Sequence, residues 1–133
     1  MNAGTVQGWR EGETVVAPFT QLRGLFARAN DYEPFELPPR WLDGRRKLNP
    51  DTPLNLSSSN DIVGGNSGSP LLDAQGNIVG VVFDGNIHSI AGAFWYNAAD
   101  NRAVSVDTTA LLEALRVVYG ARALLSELGA PAE

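Results

Sequence analysis

Ser67 lies in a turn sequence that is dense in glycine. Residues 60–70 read Asn-Asp-Ile-Val-Gly-Gly-Asn-Ser-Gly-Ser-Pro, and such glycine density indicates a backbone held in unusual dihedral angles. A nucleophilic serine needs a hydroxyl that projects from a tight turn and two backbone N–H groups that converge on the developing oxyanion. Gly65 can adopt a positive φ that points its N–H and that of Ser67 into one hole, and Gly68 leaves room for substrate. The turn therefore predicts a serine nucleophile, with a plain Gly/Ser loop between strands as the alternative.

The elements after this turn disfavour the nucleophile elbow of α/β-hydrolases, which needs G-x-S-x-G between a strand and a helix. Here the turn precedes a short strand at 70–72, a hairpin loop at 73–76 and an apolar strand at 77–83. Further strands are predicted at 93–96 and 102–106, as a second hairpin. Asp107 or Thr108 can cap a helix that breaks at Gly120, and 121–128 is again helical. The second half of the chain is thus β-rich and closes in helix.

The first half contains fewer regular elements. Residues 14–17 favour a strand that ends at Pro18, and the apolar residues of 21–29 recur at helical spacing. Five prolines between Tyr32 and Pro53 predict an ordered surface loop without a long regular element. The basic triplet 45–47 within it is expected to be solvated.

Length and composition exclude several classes of protein. A chain of 133 residues predicts one domain, 1–133, and a net charge of -5 argues against nucleic-acid binding. The absence of cysteine removes disulfides, thiolate zinc sites and cysteine nucleophiles, and we predict no metal and no cofactor. No apolar run approaches the ~20 residues that span a bilayer, so we expect no membrane contact, and the first residues lack the pattern of a signal peptide.

The order of turn, short strand, hairpin and apolar strand resembles the second β-barrel of the chymotrypsin-like serine proteases. More narrowly, the chain resembles the carboxy-terminal part of the dipeptidyl-peptidase 7/11 family of bacterial serine exopeptidases. The likeness lies in 59–70, Phe83-Asp84-Gly85-Asn86 and Ser105-Val106-Asp107, and upstream in 17–20 and 33–35. It implies a mainly β fold, the second barrel half of a chymotrypsin-like double barrel with a C-terminal α-helix. The resemblance also implies a single partial domain, so we expect the first barrel and the helical insert of the family to be absent from these 133 residues.

The resemblance also implies a function. Members of the family release dipeptides from the free amino termini of peptides, in the periplasm or at the cell surface, and the full-length enzyme is a possible homodimer. Carried over, Ser67 is the nucleophile, and the amides of Gly65 and Ser67 form the oxyanion hole. Asp84 holds the substrate ammonium, a task for a partly buried carboxylate. Gly85 lies at the base of an open S1 pocket for aliphatic or aromatic side chains, where members that cleave after acidic residues carry arginine. Alternatively, Asp84 and Gly85 form an ordinary Asp-Gly turn.

The base that activates a serine is missing from its expected place. His88 is the single histidine, and it follows the serine, whereas the double-barrel order puts histidine and aspartate first. We therefore expect His88 at the surface or the pocket edge and no activity of this chain alone. The expected partners are a peptide substrate and a missing N-terminal barrel that supplies the histidine and aspartate of the site. An endopeptidase domain and a non-catalytic peptide-binding β-domain are the alternatives.

Overall fold

The computed structural model describes residues 2–92 and 94–131. Its chain is divided into two compact units, one formed by the segments up to Thr20 and Leu54–Thr108, the other by Gln21–Pro53 and the segment from Thr109. None of the helices among these residues has the length and apolar character needed to cross a bilayer. In chain order the elements are β1 (Trp9–Glu11), β2 (Thr14–Val16), β3 (Phe19–Gln21), α1 (Leu22–Arg28), α2 (Pro39–Gly44), β4 (Pro53–Ser58), β5 (Pro70–Leu72), β6 (Ile78–Gly85), a 3₁₀ helix (Ile87–Ala91), β7 (Ala103–Asp107), α3 (Thr108–Glu113), a π-helical turn (Ala114–Val118) and α4 (Arg122–Glu127).

A five-stranded sheet, in the order β3-β4-β7-β6-β5, is the main element of the first unit. The pairs β4–β7, β6–β7 and β5–β6 are antiparallel. Residues of β7 alternate between buried and half-buried, as the two-residue period of a strand requires. The mainly β fold with helices at its C-terminal end agrees with the prediction.

The hairpin that joins β5 to β6 turns on one aspartate. Asp73 Oδ1 accepts hydrogen bonds from the N–H groups of Gln75 and Asn77, both at 2.9 Å, and Oδ2 accepts one from Asn77 Nδ2 at 2.8 Å. These bonds close the loop predicted at 73–76. They also lower the pKa of Asp73, with the bond from the Asn77 side chain as the largest cause.

A shorter hairpin, β1–β2, lies outside the main sheet, where the sequence predicted only one strand with a turn. Its register pairs Trp9 with Val16 and Glu11 with Thr14.

A buried arginine organises the loop before β7. Arg102 is 1% exposed, and its guanidinium donates only to backbone carbonyls. Nε donates to Gly8 O at 2.8 Å, Nη1 to Ala98 O and Asn101 O at 3.0 and 2.7 Å, and Nη2 to Ala99 O at 2.9 Å. One side chain thus holds residues 98–101 and ties them to the segment that precedes β1.

The second unit is helical, as predicted for 21–29 and for the C-terminal residues. Its buried apolar residues come from α1, the loop before β4 and the C-terminal helices: Leu22, Leu48, Ala110, Ala114 and Leu125. The proline-rich stretch contains only the short α2, and the basic triplet 45–47 is exposed, both as expected.

The predicted second hairpin is wrong. Ala93, its first residue, lies outside the described residues, and 94–96 are not a strand. The physical reason is that β7 pairs with β4 on one edge and β6 on the other, so no edge is left for another strand. Phe94 and Trp95 are instead 94% and 74% exposed, and Tyr96 Oη donates to Ser59 O.

Replacing Asp73 by Asn is expected to remove a pH-dependent part of the stability. Because the pKa of Asp73 is lowered in the folded state, its contribution is present above the unfolded pKa and is lost as pH falls through the folded pKa. The difference in unfolding free energy between wild type and Asp73→Asn should therefore shrink as the pH is lowered below 4, measured by urea denaturation. Asp43→Asn, at a carboxylate with no hydrogen bond among the described residues, is the control. A constant difference would contradict this account.

Replacing Arg102 by Met should destabilise the chain by about 2 kcal/mol or more, because four backbone carbonyls lose a donor and a buried one, such as that of Asn101, costs ~1–3 kcal/mol when unpaired. Urea denaturation measures the loss. Arg122→Met, at an exposed arginine of α4, should change the stability by less than ~0.5 kcal/mol. A loss below ~1 kcal/mol for Arg102→Met would show that the guanidinium bonds contribute little.

Candidate active site

The glycine-rich turn has the left-handed backbone that the sequence predicted. Gly65 has φ 101° and Gly68 has φ 87°, values that residues with a Cβ rarely adopt. A Cβ at Gly65 would meet no atom within 4 Å, so the backbone angle, and not lack of space, demands glycine there.

Backbone amides in this turn alternate between bonded and unbonded. The N–H of Asn66 donates to Val63 O at 3.2 Å, and that of Gly68 donates to Val82 O at 2.7 Å. Across the described residues, the amides of Gly65 and Ser67 donate to no protein group. Both amides predicted for the oxyanion hole are therefore available, and the neighbouring Gly64 amide is a third that has no protein acceptor among the described residues.

The turn is fastened on both sides of this free pair. Asn66 Oδ1 accepts from Val63 N–H at 2.9 Å, which closes a small ring before the serine. After it, Val82 N–H donates to Ser69 O at 2.9 Å and reinforces the bond from Gly68 to Val82. The free amides are held by neighbours that are themselves bonded.

Ser67 is exposed, and its hydroxyl faces a bulge of β6. The register of β6 on β7 pairs Val82 with Ser105 and then Asp84 with Val104, so that Phe83 is the extra residue. Ser67 Oγ donates to Phe83 O at 3.3 Å. Bulges re-aim the residues of a strand, and this one sets the direction of the residues that follow Phe83.

A cavity of about 230 Å³ lies beside the serine. It brings together three of the four predicted site residues, Ser67, Asp84 and Gly85, while Gly65 is not among its lining residues. Phe83 also lines it, within the segment 83–85 that the family resemblance assigned to the wall of the S1 pocket. Sequence reasoning assigned no role to the other lining residues: Ile62, Val63, Gly64, Asn66, Val82, Asn86, Ser89 and Ile90.

The Asp84 side chain is exposed, and its Oδ1 accepts from Gly85 N–H at 2.8 Å. The expectation of a partly buried carboxylate is wrong within the described residues, where Asp84 is exposed at the first position after the bulge. A carboxylate at a cavity rim can still meet a cation there, with the weaker energy of an exposed pair.

Gly85 is required by a close approach. A Cβ added to it would lie 2.7 Å from Ser89 Cβ and 3.2 Å from Ser89 Oγ. Ser89 comes from the 3₁₀ helix, a helix that no periodic pattern in the sequence indicated.

His88 lies on the same 3₁₀ helix but does not line the cavity. Its Nε2 lies 2.9 Å from Glu11 Oε2, and this hydrogen bond is the largest cause of the lowered pKa of Glu11. The imidazole thus pairs with a carboxylate of β1. His88 is half-buried and outside the cavity lining, where the sequence predicted the surface or the pocket edge. Among the described residues, no three His, Asp or Glu side chains are grouped to hold a metal ion.

Known proteins share sequence with nearly the whole of this chain. A family model described as Peptidase S46 matches residues 1–130. Dipeptidyl-peptidase 7 of Phocaeicola vulgatus is 31% identical over 119 residues, which cover 83% of this chain and 16% of the relative. The Asp/Glu-specific dipeptidyl-peptidase of Shewanella putrefaciens is 29% identical over 156 residues, which cover 94% of this chain and 21% of the relative.

A solved structure supports the fold. Porphyromonas endodontalis DPP11 in complex with the dipeptide Arg-Glu matches with a TM-score of 0.88 at 22% identity, over 97% of this chain and 20% of that chain. This match confirms the predicted fold, the second barrel half of a chymotrypsin-like double barrel with a C-terminal helix. The chain spans no more than 21% of either sequence relative. With a family model that covers nearly its whole length, the chain belongs to the peptidase S46 family.

Proposed function

We propose that this chain carries the nucleophile half of a serine dipeptidyl-peptidase site that releases dipeptides from the free amino termini of peptides. The observation that carries the proposal is the pair of unbonded amides, Gly65 and Ser67, on the turn that presents the Ser67 hydroxyl. Relatives that match this chain are named Dipeptidyl-peptidase 7 and Asp/Glu-specific dipeptidyl-peptidase.

In the proposed reaction, Ser67 Oγ attacks the carbonyl carbon of the second substrate residue and loses its proton to a base. The carbonyl electron pair moves to the oxygen, which becomes an anion held by the two amides. When the tetrahedral intermediate collapses, the peptide C–N bond breaks and the departing amine takes the proton. Water then repeats the sequence on the acyl-enzyme and frees the dipeptide.

We propose that the base and its aspartate come from residues outside these 133. His88 is engaged with Glu11 and is not among the cavity-lining residues, and this supports the proposal. A periplasmic or cell-surface location and a homodimer stay predictions of the family resemblance.

The cavity favours an uncharged side chain before the scissile bond. Its walls include the apolar side chains of Ile62, Val63, Val82 and Ile90. The single charged residue among its described lining residues is Asp84, so an acidic substrate side chain would meet no cation there. We therefore propose aliphatic or aromatic residues at this position, and assign Asp84 to the substrate ammonium.

Ser67 in this chain alone should react slowly with a fluorophosphonate probe. Its hydroxyl donates to Phe83 O, and no base among the described residues contacts it. A site without a complete triad retains only roughly 10³ to 10⁴-fold catalysis over water. Mass spectrometry of the labelled peptide measures the rate. Ser67→Ala should abolish labelling, and the neighbouring Ser69→Ala should leave it unchanged. Labelling at the rate of a complete serine peptidase would contradict the missing base.

Asp84 should strengthen the binding of dipeptides with a free amino terminus. Because its carboxylate is exposed, Asp84→Asn should weaken binding of a dipeptide such as Gly-Leu by about fivefold, or ~1 kcal/mol, in calorimetry. The N-acetyl dipeptide, which lacks the ammonium, should bind wild type and variant equally. Asp61→Asn changes a nearby carboxylate outside the cavity lining and serves as the control for long-range charge. Equal binding of free and acetylated dipeptides to wild type would favour an endopeptidase or a plain peptide-binding domain.

A further inference from the structure

Three residues of the cavity lining contact one another, and we call them the floor: Gly85, Asn86 and Ser89. Ser89 is half-buried and Asn86 is only 8% exposed. In this floor, the side chain of Ser89 fills the space that a side chain at position 85 would take. A Cβ added to Gly85 would lie only 2.7 Å from the Cβ of Ser89. The limit of the cavity at Gly85 is therefore set by Ser89.

Hydrogen bonds fix the Ser89 side chain in this position. Its Oγ lies 2.9 Å from Asn86 Oδ1 and 3.2 Å from Arg102 O, either of which can accept its proton. It also accepts from Arg102 N–H at 3.2 Å. With its proton engaged, the hydroxyl has no donor left for a substrate and acts towards it as a filled volume.

The partners of Ser89 are themselves fixed. Asn86 Oδ1 accepts from Arg102 N–H at 3.1 Å, Asn86 N–H donates to Arg102 O at 2.9 Å, and Asn86 Nδ2 donates to Asp100 O at 2.6 Å. The Arg102 guanidinium holds the preceding loop, as described above. Because its members are held by several hydrogen bonds, moving the floor aside for a larger side chain would cost free energy.

We propose that Ser89 is a specificity-determining residue that limits the depth of the cavity and so the size of the substrate side chain before the scissile bond. This inference rests on the proposed function, because it takes the cavity as the site of that side chain. Gly85 and Ser89 then act as one steric pair: the space between them holds the side chain of position 85 or that of position 89, but not both.

The test measures the affinity of the chain for Gly-Phe relative to Gly-Ala by calorimetry. Ser89→Gly should raise this ratio by about fourfold or more, the effect of at least one additional buried methylene. Ser89→Ala keeps the Cβ and loses the hydrogen bonds, so its ratio should stay within about twofold of wild type. Adding Gly85→Ala to Ser89→Gly refills the space and should restore the wild-type ratio.

Further variants keep the test decisive if Ser89→Gly fails to fold. Ser89→Thr adds a methyl group to the floor and should lower the ratio. Equal ratios for wild type, Ser89→Thr and any folded Ser89→Gly would overturn the role of Ser89 while dipeptide binding itself persists. Absence of dipeptide binding to the wild-type chain would instead overturn the proposed function, and this inference with it.

Discussion

The candidate site depends on an alternation of backbone amides in one turn. The N–H groups of Asn66 and Gly68 donate hydrogen bonds within the protein. Those of Gly65, which precedes Asn66, and of Ser67, which lies between the two, do not. The Gly68 amide holds the turn on β6 through Val82 O, the Asn66 amide closes the turn on Val63 O, and Gly65 has a left-handed backbone. A donor aimed at a developing oxyanion must be both fixed and unoccupied, and typically contributes about 3–4 kcal/mol to the transition state. The rest of the site is useful only in relation to this turn.

The sheet supplies the position of everything else. The bonds from the turn to Val82 end where the bulge at Phe83 begins, so the two residues after the bulge reach the cavity beside Ser67. Their direction therefore follows from the register of β6 on β7. Beyond them the chain turns into the 3₁₀ helix, whose Ser89 packs on Gly85 and closes the floor. Strand register, bulge and floor thus form one continuous path along the chain, and a one-residue slip anywhere on it would displace Asp84 and Gly85 together.

Sequence reasoning succeeded where the chemistry is local. A tight turn with positive φ favours glycine, as at 65, and Asp73 closes a hairpin through bonds to residues two and four positions away. It failed where contacts with residues distant in sequence decide the local structure. The aromatic run at 94–96 has the composition of a strand, but β4 and β6 occupy both edges of β7. Likewise, the exposure of Asp84 follows from a bulge, and the contact between Ser89 and Gly85 follows from the path of the 3₁₀ helix, neither of which leaves a periodic signal.

Amide hydrogen exchange at residues 65–68, followed by NMR on the native chain, tests the alternation most directly. Exchange of a bonded amide requires local opening, whereas an unbonded exposed amide exchanges at close to its intrinsic rate. The account predicts protection at Gly68 and Asn66 and nearly none at Gly65 and Ser67. Protection at Gly65 or Ser67, or equal lack of protection at all four positions, would show that the turn holds no pair of amides ready for an oxyanion.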